Sequence, residues 1–318
     1  MNENRYAAYV EKTDAVKAEI AKVIKGKDDI VEKILMAIYA SGNILLEDHP
    51  GTGKTTLAKT LANVIELDYR RQQFTPDTMP SDIVGYTYYD KNWDEQKYIE
   101  GVVWCNLLLA DEINRTSAKT QAALLEAMEE KSVTLEGETR KLPDPFIVIA
   151  TQNPNTSMGT QPLPDSQCDR FIIRISMGYP DEAQEVEVYR NSSIKGVTDK
   201  ARRIMSRSEL KEICSVTDSI YANDSLLRYI RRLVEATRET PYFEVGVSTR
   251  GGIALLRMAR ARALVNGRDY VTPEDVFENF IDVCNHRVVL SSQARMEDRT
   301  EAEILADILK KVPADYVA

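Results

Sequence analysis

The stretch Asn43-Ile44-Leu45-Leu46-Glu47-Asp48-His49-Pro50-Gly51-Thr52-Gly53-Lys54-Thr55-Thr56 decides the fold of this chain. A short apolar run feeds a turn with two glycines, and the turn ends in Lys-Thr and opens into a helical pattern. This is the layout of a phosphate-binding loop. Gly51 and Gly53 let backbone N–H groups curl round an anion, and the helix N-terminus behind them adds partial positive charge. Lys54 is a cation at the helix end that the macrodipole disfavours, which a bound phosphate explains. Thr55 offers a hydroxyl where a nucleotide-bound Mg²⁺ needs one. The full pattern asks for glycine at position 48, and Asp48 stands there instead.

Four further stretches suit the same chemistry. Leu107-Leu108-Leu109-Ala110-Asp111-Glu112 reads as a buried strand delivering two carboxylates to its C-terminal edge, where open α/β sheets bind ligands. There Asp111 can hold Mg²⁺ through water, and Glu112 can orient or deprotonate an attacking water. Phe146 to Ala150 is a second buried strand; Asn153, just beyond it, can touch a terminal phosphate or simply form a turn before Pro154. In Cys168-Asp169-Arg170-Phe171, Arg170 either pairs with Asp169 or supplies charge to a neighbouring subunit's transition state. Ser248 caps a helix in Ser248-Thr249-Arg250-Gly251-Gly252, so Arg250 sits in the first turn, where a cation is unfavourable, followed by two helix-weakening glycines. A close phosphate rationalises both oddities; a local acid such as Glu244 is the plain alternative.

The 318 residues suffice for two domains, with 43% hydrophobic and 29% charged residues, as in a globular protein. A formal charge of −9 argues against a general nucleic-acid binder. Four scattered cysteines and two histidines make a structural metal or disulfide framework a poor fit and suit a reducing, cytoplasmic setting. No apolar run approaches the ~18 residues of a membrane span.

Along the chain, Ala7 to Ile24 and Asp28 to Tyr39 read as amphipathic helices, and strands alternate with helices such as Ala118 to Glu130. That is an α/β rhythm with a parallel sheet. Between Phe74 and Gly101 the rhythm fails. Gly85 to Tyr89 and Gln96 to Ile99 form a hairpin pattern, and the cluster of Tyr86, Tyr88, Tyr89 and Trp93 is expected to pack on its own domain. A second hairpin pairs Ser132 to Leu135 with Thr139 to Leu142. Beyond Gly178-Tyr179-Pro180 the pattern is helical, and Thr272-Pro273-Glu274-Asp275 is a clear helix start. The expected domains are therefore 1–180, α/β, and 181–318, helical.

Taken together, these strings resemble an AAA+ ATPase, and more closely the MoxR group, over about residues 20 to 285. The resemblance rests on Ile44 to Thr55, on Phe74-Thr75-Pro76-Asp77 with Pro80-Ser81-Asp82-Ile83, and on Asn106 to Arg115 with Gln121 to Glu130. It extends through Ala150 to Pro154, Gly159-Thr160, Pro162-Leu163-Pro164, Asp169-Arg170-Phe171, Arg250 and Gly267 to Pro273. It implies a five-stranded P-loop nucleotide domain carrying a helix-2 insertion and a pre-sensor-1 hairpin, an all-α lid, and a ring, usually a hexamer. Pro50, Gly51, Thr52, Gly53, Lys54, Thr55 and Thr56 would hold ATP, with Thr55 and Asp111 on Mg²⁺ and Glu112 activating water. Asn153 would sense the γ-phosphate and Arg250 would report it to the lid, while Arg170 would act in trans. The backbone at Ile24 to Gly26 would border the adenine.

The resemblance also implies chaperone-like remodelling or maturation of a protein client, often one carrying a von Willebrand A domain. Two alternatives stand beside this. A nucleic-acid motor would need basic hairpin tips, whereas Glu136-Gly137-Glu138 is acidic. A nucleotide-dependent scaffold would have no use for Glu112. The segment after about 290 carries little of the family pattern.

Overall fold

The computed structural model describes residues 3–49, 51–90, 95–153, 163–179, 182–191 and 201–314. Of the positions named above, Pro50, Lys91 to Trp93, Pro154 to Pro162 and Pro180, where the domain boundary was expected, lie outside them.

Helices α1 (Glu3–Ala21) and α2 (Asp28–Tyr39) precede strand β1 (Ile44–Glu47), the phosphate-binding loop and α3 (Lys54–Val64). Then come β2 (Tyr69–Gln73), the short α4 (Pro80–Val84) and the hairpin β3 (Gly85–Asp90) and β4 (Glu95–Glu100). Strand β5 (Leu107–Asp111) leads to α5 (Ala118–Glu130), a second hairpin β6 (Ser132–Leu135) and β7 (Glu138–Lys141), and β8 (Ile147–Gln152). The short α6 (Asp165–Cys168) and β9 (Ile173–Ile175) close the α/β part. The sheet has five strands in the order β2-β5-β8-β1-β9, all pairs parallel.

Side chains alternate across each strand, so a sheet covered on both faces needs unbroken apolar runs. Ile44 and Leu46, Leu107 and Leu109, and Ile147 and Ile149 join one core with α1, α2 and α3. Leu45, Leu108, Ala110, Val148 and Ala150 face the other way, against Leu124, Leu125 and Met128 of α5. The three central strands are the three that the sequence pattern reveals. β2 and β9 are the edges, and β2, Tyr-Arg-Arg-Gln-Gln, is half-buried or exposed throughout. Its polar text hides it, because an edge strand packs on fewer neighbours and is protected by charge.

The insertion hairpin forms where expected, but its aromatic residues divide. Tyr98 and Trp104 pack edge to face at 5.8 Å, with the indole N–H donating to the Tyr98 hydroxyl at 2.7 Å. Tyr86, Tyr88 and Tyr89 are 48, 40 and 54% exposed, so their own domain covers only about half of each. Tyr88 and Tyr89 are consecutive and so point to opposite faces of the ribbon, which leaves both faces partly open toward the hairpin tip.

The remainder is helical: α7 (Glu182–Asn191), α8 (Arg207–Ser219), α9 (Asp224–Glu239), α10 (Thr249–Val265) and α11 (Pro273–Cys284), then α12 (Ser292–Met296) and α13 (Glu301–Lys311). One short antiparallel ribbon, β10 (Phe243–Val245) with β11 (Val289–Leu290), crosses it. Helix α11 starts as its sequence dictates, with Asp275 accepting the Thr272 N–H at 2.8 Å. Ser206 and Glu209 cap α8 in the same way. The segment after 290 contributes Ile304, Leu305 and Ile308 to the core that α1, α2 and α3 share with α8 to α11.

Candidate functional site: a phosphate loop and an arginine face

Gly51 and Gly53 both adopt φ +89°, the left-handed region, and a Cβ at either would meet open space. Conformation, not crowding, demands glycine there. No side chain caps α3 at Gly53, so its first N–H groups are left for an anion. The Lys54 ammonium donates to the Asp48 and His49 carbonyls at 3.0 Å each, curling the loop around its own lysine. Partial burial lowers the Lys54 pKa, while Asp48, Asp111 and Glu112 oppose that shift.

Asp48, the apparent defect of the loop, has a definite job. Its buried carboxylate accepts the Ser176 hydroxyl at 2.6 Å and the N–H groups of Met177 and Gly178 at 2.7 and 3.1 Å. The loop is thereby tied to the chain leaving β9. His49 stacks near Tyr179, ring centroids 6.3 Å apart, and Lys27 donates to the Tyr179 carbonyl at 2.9 Å.

Opposite the loop, Asp111 ends β5 with its carboxylate used twice: Arg71 donates to Oδ2 at 2.7 Å and the Thr151 hydroxyl to Oδ1 at 2.7 Å. The Thr151 hydroxyl also accepts the Glu112 N–H at 2.9 Å, which pins Glu112 in a left-handed conformation at φ +57°. Glu112 Oε2 accepts from Gln73 at 3.0 Å and from Arg115 at 2.8 Å. The Asn153 carbonyl accepts from the Asn114 amide at 3.3 Å. Gly51 to Thr56, Asp111, Glu112 and Asn153 line one cavity of about 420 Å³, together with Asp48, Arg71, Gln73, Thr151 and Gln152.

Ile24 and Gly26 do not line it. Ile24 is buried in the main core, and Gly26, at φ +63°, makes the turn between α1 and α2 next to Lys27.

Arg170 and Arg250 also lie elsewhere. They share a second cavity of about 340 Å³ that has no lining residue in common with the first. Both pair with Glu129, at the end of α5: Arg170 Nε is 3.2 Å from Oε2, and Arg250 Nη2 donates to Oε1. The local pairings suggested by sequence do not form. Asp169 pairs instead with the buried Arg287, at 2.6 Å, and Arg250 reaches an acid 121 residues upstream rather than Glu244. The Gly251 oddity also has a packing cause: a Cβ there would meet Val247 Cγ1 at 2.4 Å and Arg287 Cδ at 2.8 Å, so no phosphate is needed to explain it.

Residues 43–173 match the family model described as "ATPase family associated with various cellular activities (AAA)", and residues 235–308 match an AAA lid domain. Protein YeaC of Bacillus subtilis is 42% identical over 301 residues, covering 94% of each chain. Chaperone MoxR1 of Mycobacterium tuberculosis is 38% identical over 322 residues, covering 98% of this chain and 84% of its own length. The chain is a MoxR-type AAA+ ATPase. A crystal structure from Cytophaga hutchinsonii, 40% identical, superposes on 98% of this MoxR-type chain with a TM-score of 0.91.

Among the described residues of this MoxR-type chain, no group of three or more His, Cys, Asp or Glu side chains could hold a metal ion. Of the three carboxylates that line the loop cavity, Asp48 is committed to the chain after β9 and Glu112 to Gln73 and Arg115, which leaves Asp111 and hydroxyls such as that of Thr55 as the donors for a metal. That sparse set fits Mg²⁺, which is usually held by one or two carboxylates plus substrate phosphates. Arg71, Gln73 and Thr151 line the cavity and bond to its acids, although the sequence does not single them out. The first two sit on the unrecognised edge strand, and Thr151 passed only as part of a longer string. No described helix is long and apolar enough to cross a membrane.

Proposed function

We propose that this chain hydrolyses ATP to ADP and phosphate as a subunit of a ring, hexameric by family resemblance, and uses the cycle to remodel a partner protein. The observation that carries this reading is the facing of Lys54 and the loop N–H groups against the Asp111 and Glu112 carboxylates across one cavity. The loop and Lys54 bind the phosphates, and Glu112 accepts a proton from the water that attacks the γ-phosphorus. Gln73 and Arg115 donate to one oxygen of Glu112 and so fix where its carboxylate sits. Asn153 orients the terminal phosphate. Thr55 and Asp111 would hold a Mg²⁺, which would supply positive charge to neutralise the phosphates.

Arg170 and Arg250 line no part of this cavity, so their charge is best used on a neighbouring subunit's nucleotide, as one face. Arg250 then acts in trans beside Arg170 rather than signalling from its own loop to its own lid. The turn at Ile24 to Gly26 borders the base through Lys27, Tyr179 and His49. The exposed Tyr86, Tyr88 and Tyr89 of the insertion hairpin supply a surface for a protein client, in the class of von Willebrand A domain proteins that the resemblance implies. Four free cysteines suit work in the reducing cytoplasm.

Mixing is the decisive test. Arg170→Ala and Lys54→Ala proteins should each be inactive, and their mixture should regain hydrolysis where intact loops meet intact arginine faces. Mixtures that stay dead at every ratio would refute the trans assignment. Glu112→Gln should bind ATP, hydrolyse it slowly and retain clients in a pull-down.

A further inference from the structure

We infer that Glu129 is a positioning residue: it holds Arg170 and Arg250 side by side, so that the neighbouring subunit's nucleotide meets a preassembled pair of guanidinium groups. This rests on the trans reading of the two arginines. Helix preferences alone would put neither Glu129 nor Arg250 where it is. Helix α5 ends in Glu129-Glu130 with no basic residue in its last turn, at the end where the macrodipole repels an anion. Arg250 lies in the first turn of α10, which has no acidic residue, at the end that repels a cation. Each charge answers the other across 121 residues of sequence.

The carboxylate is divided between its two partners, one oxygen to each arginine. Without it, two like charges would share one cavity wall and repel. The other carboxylate lining the cavity that the two arginines share, Asp169, is engaged by Arg287 at 2.6 Å and by the Ser248 hydroxyl at 2.8 Å. Nor does Glu129 exhaust the donors. A guanidinium carries five N–H groups. The side chains of Arg170 and Arg250 remain 29 and 46% exposed, and the buried Arg170 Nε–H has no hydrogen-bond acceptor despite the nearby carboxylate. The pair is oriented, partly satisfied and open to a further anion.

The test is a Glu129→Gln variant of the full chain, assayed for ATP hydrolysis alone and in mixtures. Glutamine keeps the shape but lacks the charge that holds two cations together. We expect kcat to fall about tenfold or more, the scale of a misplaced catalytic group, with KM for ATP unchanged because Glu129 is outside the loop cavity. Mixing Glu129→Gln with Lys54→Ala should restore hydrolysis, since the lysine variant lends an intact arginine face. Mixing it with Arg170→Ala should not, since both are damaged on the same side. Wild-type kcat would overturn the proposal. So would a loss that Lys54→Ala cannot repair, or one that Arg170→Ala can, while the Arg170→Ala and Lys54→Ala mixture is active. If that control mixture is itself dead, the trans reading fails first and the role of Glu129 falls with it. An unchanged affinity for ATP, measured on Glu129→Gln directly, shows that a slow variant is folded.

Discussion

The loop cavity and the arginine cavity are built from opposite kinds of information. The loop cavity gathers the C-terminal ends of neighbouring parallel strands and the loop that follows β1. Its donors are largely backbone N–H groups, and its acids are fixed to strand ends, so local sequence specifies it. The arginine cavity gathers the end of α5, the turn before β9, the start of α10 and Arg287. Each piece is ordinary alone, and the arrangement exists only once the helical part has docked on the sheet. Chemistry that can be written in one stretch is legible and robust; charge that must be shared between distant elements is neither.

Substituting the arginines should break the comparison most severely. Arg170→Ala should cut ATP hydrolysis by roughly 10³-fold or more, the worth of an arginine finger, while leaving ATP affinity near wild type. Titration with a fluorescent nucleotide analogue beside a phosphate-release assay checks both. A matching fall in affinity would mean that the two cavities are not independent.

Arg287→Met probes what supports the arginine face. Its guanidinium is buried against Asp169 and the Ile172 carbonyl, and burial lowers its pKa while Asp169 raises it. Removing it strands a carboxylate, so unfolding free energy should drop by about 3–5 kcal/mol. Denaturant titration measures this, and a change below about 1 kcal/mol would show that the pair is dispensable.

Asp48→Ala is the corresponding test on the loop side. Two N–H groups and a hydroxyl lose their acceptor, for an expected loss of about 1–3 kcal/mol, accompanied by weaker nucleotide binding as the loop loosens from the chain after β9. Stability without an affinity change would make Asp48 a structural tie only.

The smallest effect concerns pH. Hydrogen bonds from Lys12 and from Ser206 hold Glu209 down to about 2 from 4.5. A depressed carboxylate stabilises the fold above its unfolded pKa and loses that contribution as pH falls through the folded value. Glu209→Gln should therefore flatten the acid limb of stability between about 4.5 and about 2. The effect should stay under about 1 kcal/mol because the Glu209 side chain is 42% exposed and screened.

What sequence could and could not reveal follows the same division. The three central strands, α2 and α5, both hairpins and the start of α11 carry apolar runs, periodicity or caps that act over a few residues. Strand β2 lacks such a signal because it is a polar edge, and with it went Arg71 and Gln73, which hold Asp111 and Glu112. Asp48 looked like a missing glycine because its partners lie more than a hundred residues away, at Ser176 to Gly178. Glu129 was visible only as one of several acids in a helix. Its partners are set by docking, and no spacing rule links positions 129, 170 and 250.

The apolar core that runs from one face of the sheet through α1, α2 and α3 into α8 to α11 and α13 has a mechanical consequence. Swinging the helical part away from the sheet would expose that shared interior. At about 25 cal/mol per Å², opening even about 200 Å² costs about 5 kcal/mol. In the proposed ring each subunit would therefore act as a stiff lever. A shape change driven by a nucleotide would be taken up with least free energy at the seams between subunits, where the arginine face would meet its neighbour's loop.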